Sequence, residues 1–162
     1  MNCLLNIRNL AEVLKGKPYT QAADIYSLGM IMYFIATGKQ PFSNCAHDEF
    51  LVLNICNGIR PEINESEIPK CYGELMKKCW DSNPNNRPSA IDLKKSIELF
   101  HYADDEEIKK QFEKAEEYRK ANLLSIESNQ STTHPEAYYT SRLLNTFTKN
   151  LYSMEVIDFT KL

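Results

Sequence analysis

Glycine is scarce in this sequence. Its 162 residues hold five, Gly16, Gly29, Gly38, Gly58 and Gly73, and no two stand close enough to form the glycine-rich turn whose backbone N–H groups cradle phosphates. The five cysteines, Cys3, Cys45, Cys56, Cys71 and Cys79, include no pair at two-residue spacing, which excludes a metal knuckle and a dithiol redox motif; their odd number argues against a fully paired disulfide framework. Long apolar runs are missing too. The greasiest stretch, Ile25 to Ala36, is far shorter than the roughly 20 residues a bilayer span needs, and MNCLLNIRNL lacks the basic leader and apolar run of a signal peptide. Neither sign of charge dominates the net value of -3. Residues 1–100 balance eleven basic against eleven acidic side chains, and residues 101–162 carry the excess, eight against eleven. No basic footprint for nucleic acid results, no membrane partner is expected, and a reducing, cytoplasmic setting is the default.

What is present reads as helices. Thr20 is placed to cap a helix running to about Thr37, with Gly38 able to end it in a left-handed conformation. Ala22, Ala23, Ile25, Leu28, Met30, Ile31, Met32, Phe34 and Ile35 leave that helix no polar stripe, so it is expected to be surrounded by protein. Asp24 inside it would need hydrogen-bond partners if buried; alternatively it favours the positive end of the helix dipole. Further helices are predicted near 46–56, over 70–80, where Cys71 and Cys79 act as small hydrophobes, and from Ser89. Ser89 and Asp92 form a near relative of a capping box. Ala90, Leu93, Ile97 and Phe100 recur at helical spacing on the expected inner face.

The segment 104–122 differs. Asp104, Asp105, Glu106 and Glu107 favour a helix N-terminus, and Glu106–Lys110 and Glu116–Lys120 are spaced for surface pairs. Its thin apolar set, Ile108, Phe112, Ala115 and Tyr118, suits a surface or a partner. Residues 125–162 read as a flexible tail, with Glu155 to Phe159 as a short strand or docking peptide. His47, His101 and His134 share no nucleophile or ligand spacing and read as surface residues.

Two strings carry a resemblance. AEVLKGKPYTQAADIYSLGMIMYFIATGKQPF (residues 11–42) resembles the part of a protein-kinase C-terminal lobe that starts at the Ala-Pro-Glu motif and runs through the central buried helix. CWDSNPNNRPS (79–89) resembles the Cys-Trp…Pro-x-x-Arg-Pro element of tyrosine-kinase-like Ser/Thr kinases and tyrosine kinases. The resemblance covers about residues 8–100 and implies a mainly α fold: a partial protein-kinase C-terminal lobe without the N-terminal β lobe. The implied organisation is a partial kinase domain over 1–100, a charged surface helix over 101–124 and the tail.

By this resemblance, Glu12 is the glutamate that pairs with the arginine matched by Arg87. Asp24 is the aspartate that anchors the catalytic loop, and Trp80 packs beside the pair. These are scaffold roles. The sequence departs from the family where Ala11 is followed directly by Glu12, without the intervening proline. It also lacks Gly-x-Gly-x-x-Gly, Val-Ala-x-Lys, His-Arg-Asp and Asp-Phe-Gly, which in the family position ATP, magnesium and the attacking hydroxyl. Catalytic, cofactor and metal residues are therefore expected to be absent. The chain reads as a truncated, pseudokinase-like part of a Ser/Thr protein kinase, inactive alone, or as an interaction module that docks through the lobe surface, helix 104–122 or the tail. With the covers of the central helix missing, its apolar side chains are expected to leave the isolated chain molten, aggregated or partner-dependent.

Overall fold

A computed structural model describes residues 20–102, 105–122 and 133–139. Among these residues five helices follow in order: α1 (Gln21–Thr37), α2 (Glu49–Cys56), α3 (Lys70–Cys79), α4 (Ala90–Tyr102) and α5 (Glu106–Ala121), with a 3-10 turn at Pro84–Asn86 before α4. Among the described residues there is no strand, in keeping with the mainly α fold that the resemblance implies.

Local chemistry sets the helix ends. Gly38 takes φ 68°, and its N–H donates to the Phe34 carbonyl at 2.8 Å, which closes α1. At the other end Thr20 occupies the cap position in an extended conformation, but its side chain makes no capping bond. Helix α2 starts at Glu49, later than predicted, because the Asp48 carboxylate accepts from the Leu51 N–H at 3.0 Å and fixes the cap there. Before α4, Ser89 Oγ donates to Asp92 Oδ2 at 2.6 Å and accepts from the Asp92 N–H at 3.2 Å. That is the predicted reciprocal cap.

The core lies between α1 and α3. Tyr26, Met30, Ile55, Met76 and Cys79 are its fully buried members, joined by Trp80, Leu75 and Ile68. Gly29 permits the close approach of the two helices: a Cβ there would stand 3.0 Å from Cys79 Cβ and 3.3 Å from the Trp80 nitrogen. The Tyr72 hydroxyl donates to the Met32 carbonyl at 3.0 Å and ties α3 to α1 a second time.

Helix α4 corrects the sequence reading on two positions. Leu93 is buried and Phe100 half-buried, but Ala90 is exposed and Ile97 is 46% exposed, because the helix rests on the lobe through one narrow edge. Helix α5 returns across α3 and α4, with Phe112 against Phe100 (ring centroids 6.1 Å apart) and Ala115 buried. Gln111 Oε1 accepts from the Cys71 N–H at 2.9 Å, and Asn64 Nδ2 donates to the Tyr118 hydroxyl at 3.1 Å. Its outer face carries surface pairs: Glu116 with Lys120 as predicted, and Glu106 with Lys109 one residue earlier than Lys110.

Residues 133–139, within the segment expected to be a flexible tail, lie against the loop that joins α1 to α2. The His134 N–H donates to the Ser43 carbonyl at 2.8 Å, and the His47 N–H donates to the Glu136 carbonyl at 3.0 Å. Glu155 to Phe159 lie outside the described residues. Among the described residues no helix is long and apolar enough to cross a membrane.

Candidate functional site

The polar turn between α3 and α4 is built from stacked side-chain turns. Asp81 Oδ1 accepts from the Asn83 N–H at 2.7 Å, and Asn83 Oδ1 accepts from the Asn85 N–H at 3.1 Å. These bonds substitute for regular structure and deliver Arg87 to the lobe interior, where it is 7% exposed. Its Nε donates to the Asp81 carbonyl at 2.9 Å and its Nη1 to the Ala22 carbonyl of α1 at 2.8 Å. The guanidinium also lies over the Tyr26 ring, 5.1 Å from the centroid.

A second guanidinium, that of Arg60, stands 5.2 Å from the same ring. Arg60 Nε donates to the Trp80 carbonyl at 2.7 Å, Nη1 to the Ile55 and Ile59 carbonyls at 3.0 and 2.8 Å, and Nη2 to the Ser82 hydroxyl at 3.1 Å. One side chain thereby satisfies carbonyls at the ends of α2 and α3, groups that every helix leaves without an internal partner. Trp80 is 4% exposed, with its ring 6.1 Å from that of Tyr33. Arg60, Tyr26 and Arg87 together link α1, α2, α3 and the turn before α4. Sequence reasoning found Arg87 and Trp80. It passed over Arg60, which lies between the helices predicted near 46–56 and over 70–80, and over Tyr26, although both types favour cation–π contacts.

Glu12 lies outside the described residues, so the expected Glu12–Arg87 pair does as well. Asp24 is placed in the first turns of α1 on an exposed face, the position that also favours the helix dipole. The face it belongs to corrects the expectation that α1 is wholly enclosed. Asp24, Leu28, Ile31 and Ile35 recur at four-, three- and four-residue steps along one side of the helix. Leu28 and Ile31 are half-buried, and Ile35 is 67% exposed. Leu28 still packs against the core, so the apolar side of the helix opens toward Ile35.

Burial dominates the thiol and phenol chemistry. It pushes the Cys79 thiol up to about 11 and the Tyr72 hydroxyl up to about 12, so both are neutral and inert at ordinary pH. A cavity of about 310 Å³ is lined by Ile63, Ile68, Pro69 and Gly73 with Lys70 and Lys77 at its rim. Both lysines are paired there, Lys77 with Glu65 at 2.7 Å and Lys70 with Glu74 at 4.0 Å. Among the described residues no group of three or more His, Cys, Asp or Glu could hold a metal ion.

Comparison with known proteins agrees with this scaffold. Residues 2–97 match the sequence profile of the family described as protein tyrosine and serine/threonine kinase. A putative serine/threonine-protein kinase/receptor of Acanthamoeba polyphaga mimivirus is 38% identical over 82 residues, 51% of this chain and 5% of the relative. The dual specificity protein kinase shkD of Dictyostelium discoideum is 40% identical over 83 residues, 51% of this chain and 11% of the relative. The serine/threonine-protein kinase VIK of Arabidopsis thaliana is 34% identical over 88 residues, 54% of this chain and 20% of the relative. The chain spans a fifth or less of the length of these curated relatives. It belongs to the protein tyrosine and serine/threonine kinase family, and its described residues form helices without a strand, consistent with a C-terminal lobe that lacks the N-terminal β lobe.

Proposed function

We propose that this chain supplies the scaffold lobe of an ATP-dependent protein Ser/Thr kinase and has no phosphoryl-transfer activity by itself. The family phosphorylates protein hydroxyls. What supports this reading is that the positions matched by the resemblance, Glu12, Asp24, Trp80 and Arg87, correspond to scaffold positions of the family, while Gly-x-Gly-x-x-Gly, Val-Ala-x-Lys, His-Arg-Asp and Asp-Phe-Gly do not occur in residues 1–162. Calorimetric titration of the purified chain with ATP and magnesium is expected to give no saturable heat. Stoichiometric nucleotide binding would overturn the proposal.

A second reading, a non-catalytic interaction module, is favoured by the outer side of α1 at Ile31 and Ile35. An apolar face on the central helix of a lobe is a surface that a partner can cover. This reading expects saturable binding of one protein partner without nucleotide. Its test is an affinity titration of a captured partner against the chain and its Ile35→Lys variant. Binding unaffected by that substitution would contradict it.

A further inference from the structure

The loop between α1 and α2 is unusually well supplied with bonds to a distant piece of the chain. His47 is at the centre. Its backbone N–H donates to the Glu136 carbonyl, its ring Nδ1 lies 2.9 Å from the Tyr138 carbonyl, and its ring Nε2 lies 3.1 Å from the Phe42 carbonyl. The Tyr139 ring meets the imidazole edge to face at 4.8 Å between centroids, and its hydroxyl donates to the Pro41 carbonyl at 3.3 Å. The Ala137 N–H donates to the His134 carbonyl at 2.9 Å and folds the segment into a turn. Phe42 takes φ 57°, a left-handed conformation uncommon for a phenylalanine. Its carbonyl receives the Cys45 N–H at 3.4 Å as well as the imidazole.

We infer that the 41–47 loop is a docking site for the chain's own segment 133–139, and that His47 is its clasp in the doubly protonated form. Carbonyl oxygens only accept, and a neutral imidazole has one N–H. With a carbonyl opposite each ring nitrogen, both bonds form only when both nitrogens carry protons. Protonated His47 joins the two sides of the contact; neutral His47 turns a lone pair toward one of the carbonyls. The neighbouring groups divide. Asp48, next to it in sequence, and Glu136 in the segment are the acidic residues, the Asp48 carboxylate being engaged by the Leu51 N–H. Cys45, pushed up by burial, and Tyr139, held at about 12 by burial, are neutral; Tyr138 completes the segment's side.

His134 opposes. Its Nδ1 accepts from the Glu136 N–H at 3.1 Å, so a proton on that nitrogen removes this bond and leaves the turn only its Ala137 to His134 backbone bond. Docking thus depends on one histidine gaining a proton and the other keeping a lone pair. A partner that reads the same carbonyls must displace the segment. The inference is independent of whether the lobe takes part in phosphoryl transfer.

The test is amide hydrogen exchange on the full chain, carried in a His134→Asn background whose side-chain oxygen retains the acceptor without titrating. Protection of 133–139, corrected for intrinsic exchange, is expected to rise about tenfold from about pH 8 to about pH 5.5, the range in which imidazole gains its proton. His47→Gln should abolish that rise. Tyr139→Ala, which alters only the docked segment, should lower protection at every pH while leaving α1 and α3 amides unchanged. Protection that is independent of pH, or equal in His47→Gln, would overturn the clasp. Protection that scales with protein concentration would place the segment on a second copy and overturn docking within one chain.

Discussion

Tyr26 carries a guanidinium against its ring from Arg60 and another from Arg87, so three residues hold four elements together. Replacing Arg87 by Ala strands the Asp81 and Ala22 carbonyls that it satisfies and removes a cation–π contact. Hydrogen bonds from a charged group and such a contact together are worth about 2–4 kcal/mol, which urea unfolding should register. Arg60→Ala should cost a similar amount, and the double variant should lose less than the sum because both act on Tyr26. Gly29→Ala gives the opposite sign to that expected from helix propensity. Alanine would ordinarily favour the helix by about 1 kcal/mol. Here the new methyl meets Cys79 Cβ at 3.0 Å and the Trp80 backbone, and overpacking of this kind costs about 1–3 kcal/mol. A variant as stable as the parent would show that α1 and α3 can separate freely.

Residue chemistry also sets the response to alkali. Burial raises Cys79 from its ordinary 9.0 to about 11 and Tyr72 from 10.0 to about 12. The unfolded chain therefore loses these protons first. Stability from the buried neutral forms is whole below about pH 9 and declines as pH rises toward 11 and 12. The urea midpoint should be flat with respect to these two groups near neutrality and fall through that alkaline window. Cys79 should also react with thiol reagents more slowly than half-buried Cys45 and Cys71.

At the scale of elements, the helices with local signals were the legible ones. Gly38 ended α1, and Ser89 with Asp92 began α4, because a cap is written in neighbouring residues. Ser89→Ala should cost about 1 kcal/mol by loss of that cap. What periodicity could not supply was the environment beyond each helix. Ile97 fits the apolar repeat of α4 yet is exposed, since spacing defines a face without defining what covers it. Arg60 was illegible for a related reason: its four acceptors belong to Ile55, Ile59, Trp80 and Ser82, and two of these are about twenty positions away. Segment 133–139 has no periodicity, and its docking rests on one tyrosine, Tyr139, and on backbone carbonyls that composition does not reveal.

For the whole molecule, the sequence indicated kinase ancestry through the two strings at 11–42 and 79–89, and the site through Trp80 and Arg87. Exposed apolar side chains such as Ile35 on α1, Phe50 on α2 and Ile91 on α4 act at this scale. Each large apolar side chain left in water forgoes roughly 1.5–3 kcal/mol of burial, a large share of the roughly 5–15 kcal/mol that holds a domain together. The isolated chain is therefore expected to bind a hydrophobic dye and to self-associate with rising concentration. Ile35→Lys should reduce both while changing stability by no more than about 0.5 kcal/mol, as for other surface sites. A monomeric parent with a cooperative thermal transition and no dye binding would contradict this.

The central claim is that these residues form a kinase lobe that cannot transfer phosphate unaided. The direct measurement is transfer from radiolabelled ATP and magnesium to the chain itself and to a mixed protein substrate, followed across successive purification steps. The account predicts that any incorporation separates from the chain and that the purified protein gives none. Transfer that remains proportional to the chain through every step would contradict it.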